Sequence, residues 1–366
     1  MVKVVHFSCL MVAVVFFGIN LTEAKYIGGY YWSGASIVLK CDNLNASLLT
    51  HLYYAFVTAN EDGSLTVQNA QKGYANDLLS LKSSNPDLKL LFSFVADNNG
   101  SFSKVVADKN LRKTFVDNAL ELVQQYQYDG IDFDWEFPQD KDKVNFTALL
   151  NETYTEFKKY NYQVTAAVRA IPVYKNSGYD IPEVVKYLDV INIMTYDYFG
   201  SWSNTTGQNS PLYPSSLDSA YEREYLNIEA SIKNWVEAGA PKEKLAVGLP
   251  FYGRTFTLAD PTNHGVHAPS LGGGSPLAPT YYQILKNYQN FTTEWNDEQK
   301  SPYKYSNTTW LAYENERSIA IKVKWAIDQN VQGVFVWQLG GDDITGEYSK
   351  NKQPLLLTIN DAINNV

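Results

Sequence analysis

The chain has 366 residues, 45% of them hydrophobic, with 8 Trp, 27 Tyr and 17 Phe. That length suits two medium domains or one large barrel-type domain, and the hydrophobic share excludes intrinsic disorder. Thirty basic against 39 acidic residues give a net charge of −9 with no basic block, which argues against non-specific nucleic-acid binding, while two Cys and four His leave little for a disulfide scaffold or a metal site.

In chain order, Lys3 precedes an apolar stretch whose uninterrupted part is Leu10 to Ile19, and Thr22 and Ala24 place small residues before Lys25. Charge, short apolar run and small-residue exit read as a cleaved secretory signal over residues 1–24. The run is well short of the roughly 20 residues that a membrane span needs. Cleavage removes Cys9 and leaves Cys41 as a single thiol with no internal disulfide. Secretion also gives meaning to the Asn-x-Ser/Thr tripeptides at Asn45, Asn99, Asn145, Asn151, Asn204, Asn290 and Asn307, which become glycosylation candidates; Asn20 belongs to the leader.

Short apolar, β-branched or aromatic runs then recur: Tyr26–Tyr31, His51–Val57, Leu88–Phe94, Gly130–Asp134, Gln163–Val168, Leu188–Thr195, Leu245–Tyr252 and Gly333–Trp337. Strands alternating with helical connections predict an α/β fold, and eight of them can close a (β/α)8 TIM barrel. A long open doubly wound sheet is the rival, but no Gly-rich phosphate turn follows the first strand. Helices are predicted over Leu111–Tyr126, capped by Asn110, after Asp180-Ile181-Pro182, and over Pro354–Val366. The gap between the seventh and eighth strands exceeds what one helix requires. Its aromatic-rich part, residues 257–316 with Gly272-Gly273-Gly274, reads as a small α+β insertion between strand 7 and helix 7, interrupting a barrel that spans 25–366.

The most informative stretch is Asp129-Gly130-Ile131-Asp132-Phe133-Asp134-Trp135-Glu136. On a strand, Asp132, Asp134 and Glu136 share one face, and Ile131, Phe133 and Trp135 share the other. Carboxylates stacked inside a barrel resist ionising together, so at least one is expected to titrate high, as a general acid requires. An exposed acidic edge strand or a Ca²⁺ site is the alternative. Calcium loops, however, set their oxygens on a Gly-containing turn, and the intervening apolar residues call for a buried strand.

This run resembles the DxxDxDxE pattern of the family 18 glycoside hydrolases, the chitinases and their relatives. The resemblance extends through Tyr30-Tyr31, His51–Phe56, Ala166-Ala167-Val168, Met194-Thr195-Tyr196-Asp197, Gly200-Ser201-Trp202, Thr206–Tyr213, Gly248–Phe256 and Val336-Trp337. It implies a (β/α)8 barrel whose insertion deepens the groove, and a substrate-assisted, retaining hydrolysis of β-1,4 linkages in chitin. On that resemblance Glu136 is the acid and base. Asp134 orients the substrate's acetamido group, Asp132 shares a proton with Asp134, Tyr196 donates to the acetamido group, and Asp197 binds a sugar hydroxyl. Trp337 floors the reacting sugar, Tyr30, Phe56, Met194, Trp202 and Tyr252 line the pocket, and Arg254 supplies a donor. Trp32 and Trp310 are candidate outer platforms or plain packing.

His51, His264 and His267 lack partners at metal-ligand spacing, so no metal is expected and no cofactor is implied. Asp342-Asp343 reads as a solvated loop. The match departs from the family at Ser93-Phe94-Val95-Ala96-Asp97, where Ser-x-Gly-Gly-Trp is usual. Gly29 and Thr50 stand where relatives pair two cysteines. The resulting expectation is a secreted, monomeric chitinase acting on chitin or chitooligosaccharides, without nucleic-acid or, after cleavage, membrane partners. A chitin-binding lectin of the same fold and an N-glycan- or chitobiose-cleaving relative are the alternatives.

Overall fold

The computed structural model describes residues 25–34, 39–67, 69–96, 100–172 and 177–365. The leader over 1–24, Asp97 and Asn99 lie outside the described residues. Eight parallel strands form the centre: β1 (Tyr26–Trp32), β2 (His51–Ala59), β3 (Lys89–Ala96), β4 (Gly130–Trp135), β5 (Gln163–Arg169), β6 (Val190–Met194), β7 (Leu245–Pro250) and β8 (Gly333–Trp337). Each pairs with the next, and β1 pairs with both β2 and β8, so the sheet closes into the expected (β/α)8 barrel. Both faces of such strands are covered, which is why β2 and β3 read as nearly continuous apolar runs, while β4 is buried throughout despite Asp132 and Asp134.

Side-chain alternation divides the core in two. Outward residues meet helices: Phe133 packs on Phe115 and Phe146, and Trp135 on Phe102 and Phe146. Inward residues Tyr26, Tyr30, Tyr53, Leu91, Ala167, Val190, Ala246 and Phe335 form a separate cluster inside the barrel. Helix Lys109–Tyr126 begins two residues before the predicted segment, because the Asp108 carboxylate accepts the N–H groups of Asn110 and Leu111; Asp108, not Asn110, is the cap. The helix after Asp180 is only Ile181–Val184, continuing as a tighter turn over Val185–Tyr187.

Between β7 and β8 lies a five-stranded antiparallel sheet, ordered Ser270–Gly273, Arg254–Leu258, Thr309–Ala312, Ser301–Ser306, Thr292–Asn296, with helix Tyr281–Asn287. Trp310 is fully buried in this sheet against Phe256 and Tyr303, so it is packing and not a sugar platform. A buried ion pair fastens the sheet to the barrel. The Lys322 ammonium, in helix Glu316–Asp328, donates to Glu314 at 2.5 Å, to the Ser210 carbonyl at 2.6 Å and to Ser301 Oγ at 3.1 Å.

Asp342 and Asp343 are buried, which corrects the solvated-loop reading. Asp342 accepts the N–H groups of Asp343, Leu355 and Leu356, occupying first-turn donors of helix Pro354–Asn364, and Asp343 accepts those of Glu347 and Tyr348. The three histidines among the described residues are partnered as well. His51 bonds Thr50 and Gln163, His264 stacks on Tyr305, and His267 meets Asp218 at 2.7 Å with Glu222 close by. Cys41 is buried and free, and burial pushes its thiol up to about 11. Asn45, Asn151, Asn204, Asn290 and Asn307 are exposed, and Asn145 is half-buried. Among the described residues no helix is long and apolar enough to cross a membrane.

Candidate active site

The carboxylates of β4 sit at three depths. Asp132, the deepest, is fully buried and saturated with donors: Tyr30 Oη and Ser93 Oγ donate to Oδ2 at 2.8 Å each, and Thr165 Oγ1 donates to Oδ1 at 2.6 Å. Register explains two of these, since Ser93 and Thr165 are its direct neighbours on β3 and β5. The network continues through Asn192, whose Nδ2 donates to Tyr30 and whose Oδ1 accepts from Tyr26, itself bonded to Tyr53. Burial pushes Asp132 up to about 6 against the pull of its three donors, and holds the tyrosines protonated as donors.

Asp134, one pleat higher, has different company. Its register neighbours are Val95 and Ala167, which offer no hydrogen bond, and its Oδ1 is buried without a partner. Burial first, then the charges of Glu136 and Asp132, raise its carboxyl well above the ordinary range. The donors on Asp132 all come from other residues, and among the described residues no hydrogen bond joins Asp132 to Asp134. Glu136, just past the end of β4, reaches the open groove, yet protein walls surround it. Burial and then Asp197 push its carboxyl up, while Arg169 pulls it down.

The opposite wall is built from β6 and β7. Asp197 has a left-handed backbone with φ of 59°, and its N–H donates to Asn209 Oδ1 at 3.0 Å. Asn209 in turn donates to the Tyr252 carbonyl, joining the two strand ends. Asp197 Oδ1 accepts from Tyr252 Oη and Arg254 Nε at 2.7 Å each, and lies 2.6 Å from Arg254 Nη2. The Arg254 donors are therefore directed at Asp197 in this geometry, with the guanidinium 5.2 Å from the Trp202 ring centre. Gly248 makes room for Tyr196: a Cβ there would stand 2.8 Å from the Tyr196 ring. Burial keeps the Tyr196 phenol protonated.

These groups surround one cavity of about 470 Å³. Of the residues singled out in the sequence, Tyr30, Phe56, Asp134, Glu136, Met194, Tyr196, Asp197, Trp202, Tyr252 and Trp337 line it; Asp132 and Arg254 stand behind. Trp337 stacks on Phe56 with centroids 5.5 Å apart and meets Tyr30 and Trp32 at its other edges. Trp32 also borders a second cavity of about 690 Å³, reached by Thr280, Tyr282 and Gln283 from the second sheet's helix. Val95 of the divergent segment faces the first cavity. Sequence reasoning missed Ser93, Thr165, Asn192, Asn209 and Arg169. The first three carried a readable signal, namely polar residues at inward positions of strands already aligned with Asp132.

Comparison with known proteins follows the same lines. The chain is 32% identical over 344 residues to chitotriosidase-1 of Mus musculus, covering 88% of this chain and 73% of that protein. It is 33% identical over 341 residues to an endochitinase of Manduca sexta, covering 84% of this chain and 61% of that longer relative. Among solved structures, the Ostrinia furnacalis Group IV chitinase in complex with allosamidin superposes with a TM-score of 0.89 at 32% identity, over 93% of this chain and 99% of that one. The sequence profile of the glycosyl hydrolases family 18 matches residues 25–342, and the chain belongs to that family.

Proposed function

We propose that this protein is a chitinase that cleaves β-1,4 linkages between N-acetylglucosamine units with retention, using the substrate's acetamido group as nucleophile. The observation that carries the reading is the unpartnered Asp134 Oδ1 beneath the open carboxyl of Glu136, in a cavity bordered by Trp337. A raised Glu136 stays protonated above the ordinary carboxyl range and can give its proton to the glycosidic oxygen. As the leaving-group bond breaks with its electron pair, the acetamido oxygen bonds the anomeric carbon. Asp134 accepts the acetamide N–H, and Tyr196 donates to the acetamido oxygen. Glu136 then takes a proton from the incoming water, whose oxygen bonds the anomeric carbon as the bond from the acetamido oxygen breaks and the acetamido group is restored. Asp132 anchors the base of the column through its three donors, and Asp197 meets a sugar hydroxyl while held by Tyr252 and Arg254.

Residues 257–316 act as an insertion domain walling the groove. The second cavity beyond Trp32 supports a site for oligomers longer than the reacting pair. The leader over 1–24 and the exposed sequons support secretion as a glycoprotein. The test is incubation with chitin oligosaccharides, comparing wild type with Glu136→Gln. Release of shorter oligomers by wild type alone is the expected result. Binding by wild type without any product would overturn the reading in favour of a lectin.

A further inference from the structure

Arg169 ends β5 at the mouth of the barrel and is, among the described residues lining the cavity with Glu136, the single cation. Its position is fixed from behind. The fully buried Trp235 donates its indole N–H to the Arg169 carbonyl at 3.0 Å, and the buried Tyr179 Oη lies 3.5 Å from the Arg169 N–H. Its guanidinium carbon sits 4.2 Å from the ring centre of Phe137, the residue that directly follows Glu136. An arginine on an aromatic face is pre-organised, and a lysine in its place keeps the charge but not the stack.

The charges around Glu136 make this position matter. Asp132 and Asp134 lie below it on β4, and Asp197 and Tyr196 face it from the end of β6. Tyr252 and Arg254 stand beyond β7, Tyr179 follows β5, and Tyr30 rises from β1. Arg254 is already committed to Asp197 at 2.6 Å. Arg169 lines the same cavity as Glu136, and its charge favours the ionised form of that carboxyl.

We propose that Arg169 is a positioning residue for Glu136: its guanidinium, fixed over Phe137, stabilises the carboxylate left when Glu136 gives up its proton. The inference rests on Glu136 being the acid of the proposed reaction. In the first step the Glu136 O–H bond breaks and its proton passes to the glycosidic oxygen. Negative charge then appears on Glu136 as the acetamido oxygen closes on the anomeric carbon. A neighbouring cation favours that charge, opposing burial and Asp197. Protonation of the leaving group becomes easier, and the basic limb of the activity profile is set lower than burial alone would place it.

The test pairs Arg169→Met with Arg169→Lys in the full chain, each checked for an unchanged thermal unfolding midpoint. Two readouts are compared: the pH dependence of kcat/KM on a chitin oligosaccharide, and titration of the Glu136 carboxyl by ¹³C NMR, its resonance assigned with Glu136→Gln. Arg169→Met should move the Glu136 titration and the basic limb up by about one pH unit, while Arg169→Lys, which keeps the charge without the stack, should move them less. A Glu136 titration unmoved in Arg169→Met, or moved equally in both variants, overturns the proposal. If the NMR titration shifts but the limb does not, Glu136 is not the acid, and the functional reading fails while its coupling to Arg169 stands.

Discussion

Glu314 and Asp134 are both carboxylates shut away from water, but only Glu314 has a cation against it. The Lys322 ammonium touches Glu314 at 2.5 Å and ties together three chain segments. Burial pushes Glu314 up and Lys322 down, and each partner opposes the other's shift. Asp134 has Val95 and Ala167 at its sides and the charges of Asp132 and Glu136 along its own strand. The same residue type therefore serves two ends. With a buried cation it clamps segments in place, and without one it holds a proton and an open acceptor ready for a ligand. The difference teaches that the missing cation is the functional signal, since neither burial nor an oxygen without a hydrogen bond, which Glu314 Oε2 also shows, separates the two sites.

The contrast can be broken by substitution. Glu136→Gln should lower kcat by about 10⁴-fold while leaving oligosaccharide binding intact, measured by product release and calorimetry. Lys322→Met should act on the other axis, costing about 4 kcal/mol of stability in chemical unfolding, because it strands a buried carboxylate. Pairing it with Glu314→Leu should restore most of that loss; a double variant as unstable as the single one would contradict the clamp. Asp134→Asn should lower kcat by roughly 10²-fold with little change in stability, reversing the pattern of Lys322→Met.

The smallest effect concerns Asp132 and pH. Its carboxyl stands at about 6 in the fold against an ordinary 3.8, so the folded state binds the proton more tightly. Its contribution is fully present below the ordinary value and is lost as pH rises through about 6. Asp132→Asn lacks this titration, so its stability relative to wild type should rise between about pH 4 and 6. Unfolding midpoints across that window read the sign, and a constant difference would show that Asp132 titrates normally.

Much of this was legible in the sequence because barrel strands are buried on both faces and announce themselves as apolar runs. The period of two along Asp132, Asp134 and Glu136 then gave the acidic column directly. What stayed hidden depends on partners distant in the chain. Lys322 on a helix and Glu314 before it carry no sequence mark of their pairing, yet Ser210 and Ser301 lie against the Lys322 ammonium. Asp342 looked solvated because its partners, the N–H groups of Leu355 and Leu356, belong to a helix that starts later. Trp310 could be platform or packing in the sequence, and the register of its sheet, which turns it inward, decides for packing. Asn209 showed no sign of joining Asp197 to Tyr252, since that bridge depends on the left-handed turn at Asp197.

The most direct test of the central claim is the anomeric form of the first product, followed by ¹H NMR within seconds of mixing wild-type protein with a chitin oligosaccharide. Attack by the acetamido group followed by water on the same face predicts that the β-anomer appears first and then relaxes toward equilibrium. Initial appearance of the α-anomer would contradict the substrate-assisted role assigned to Asp134 and Glu136.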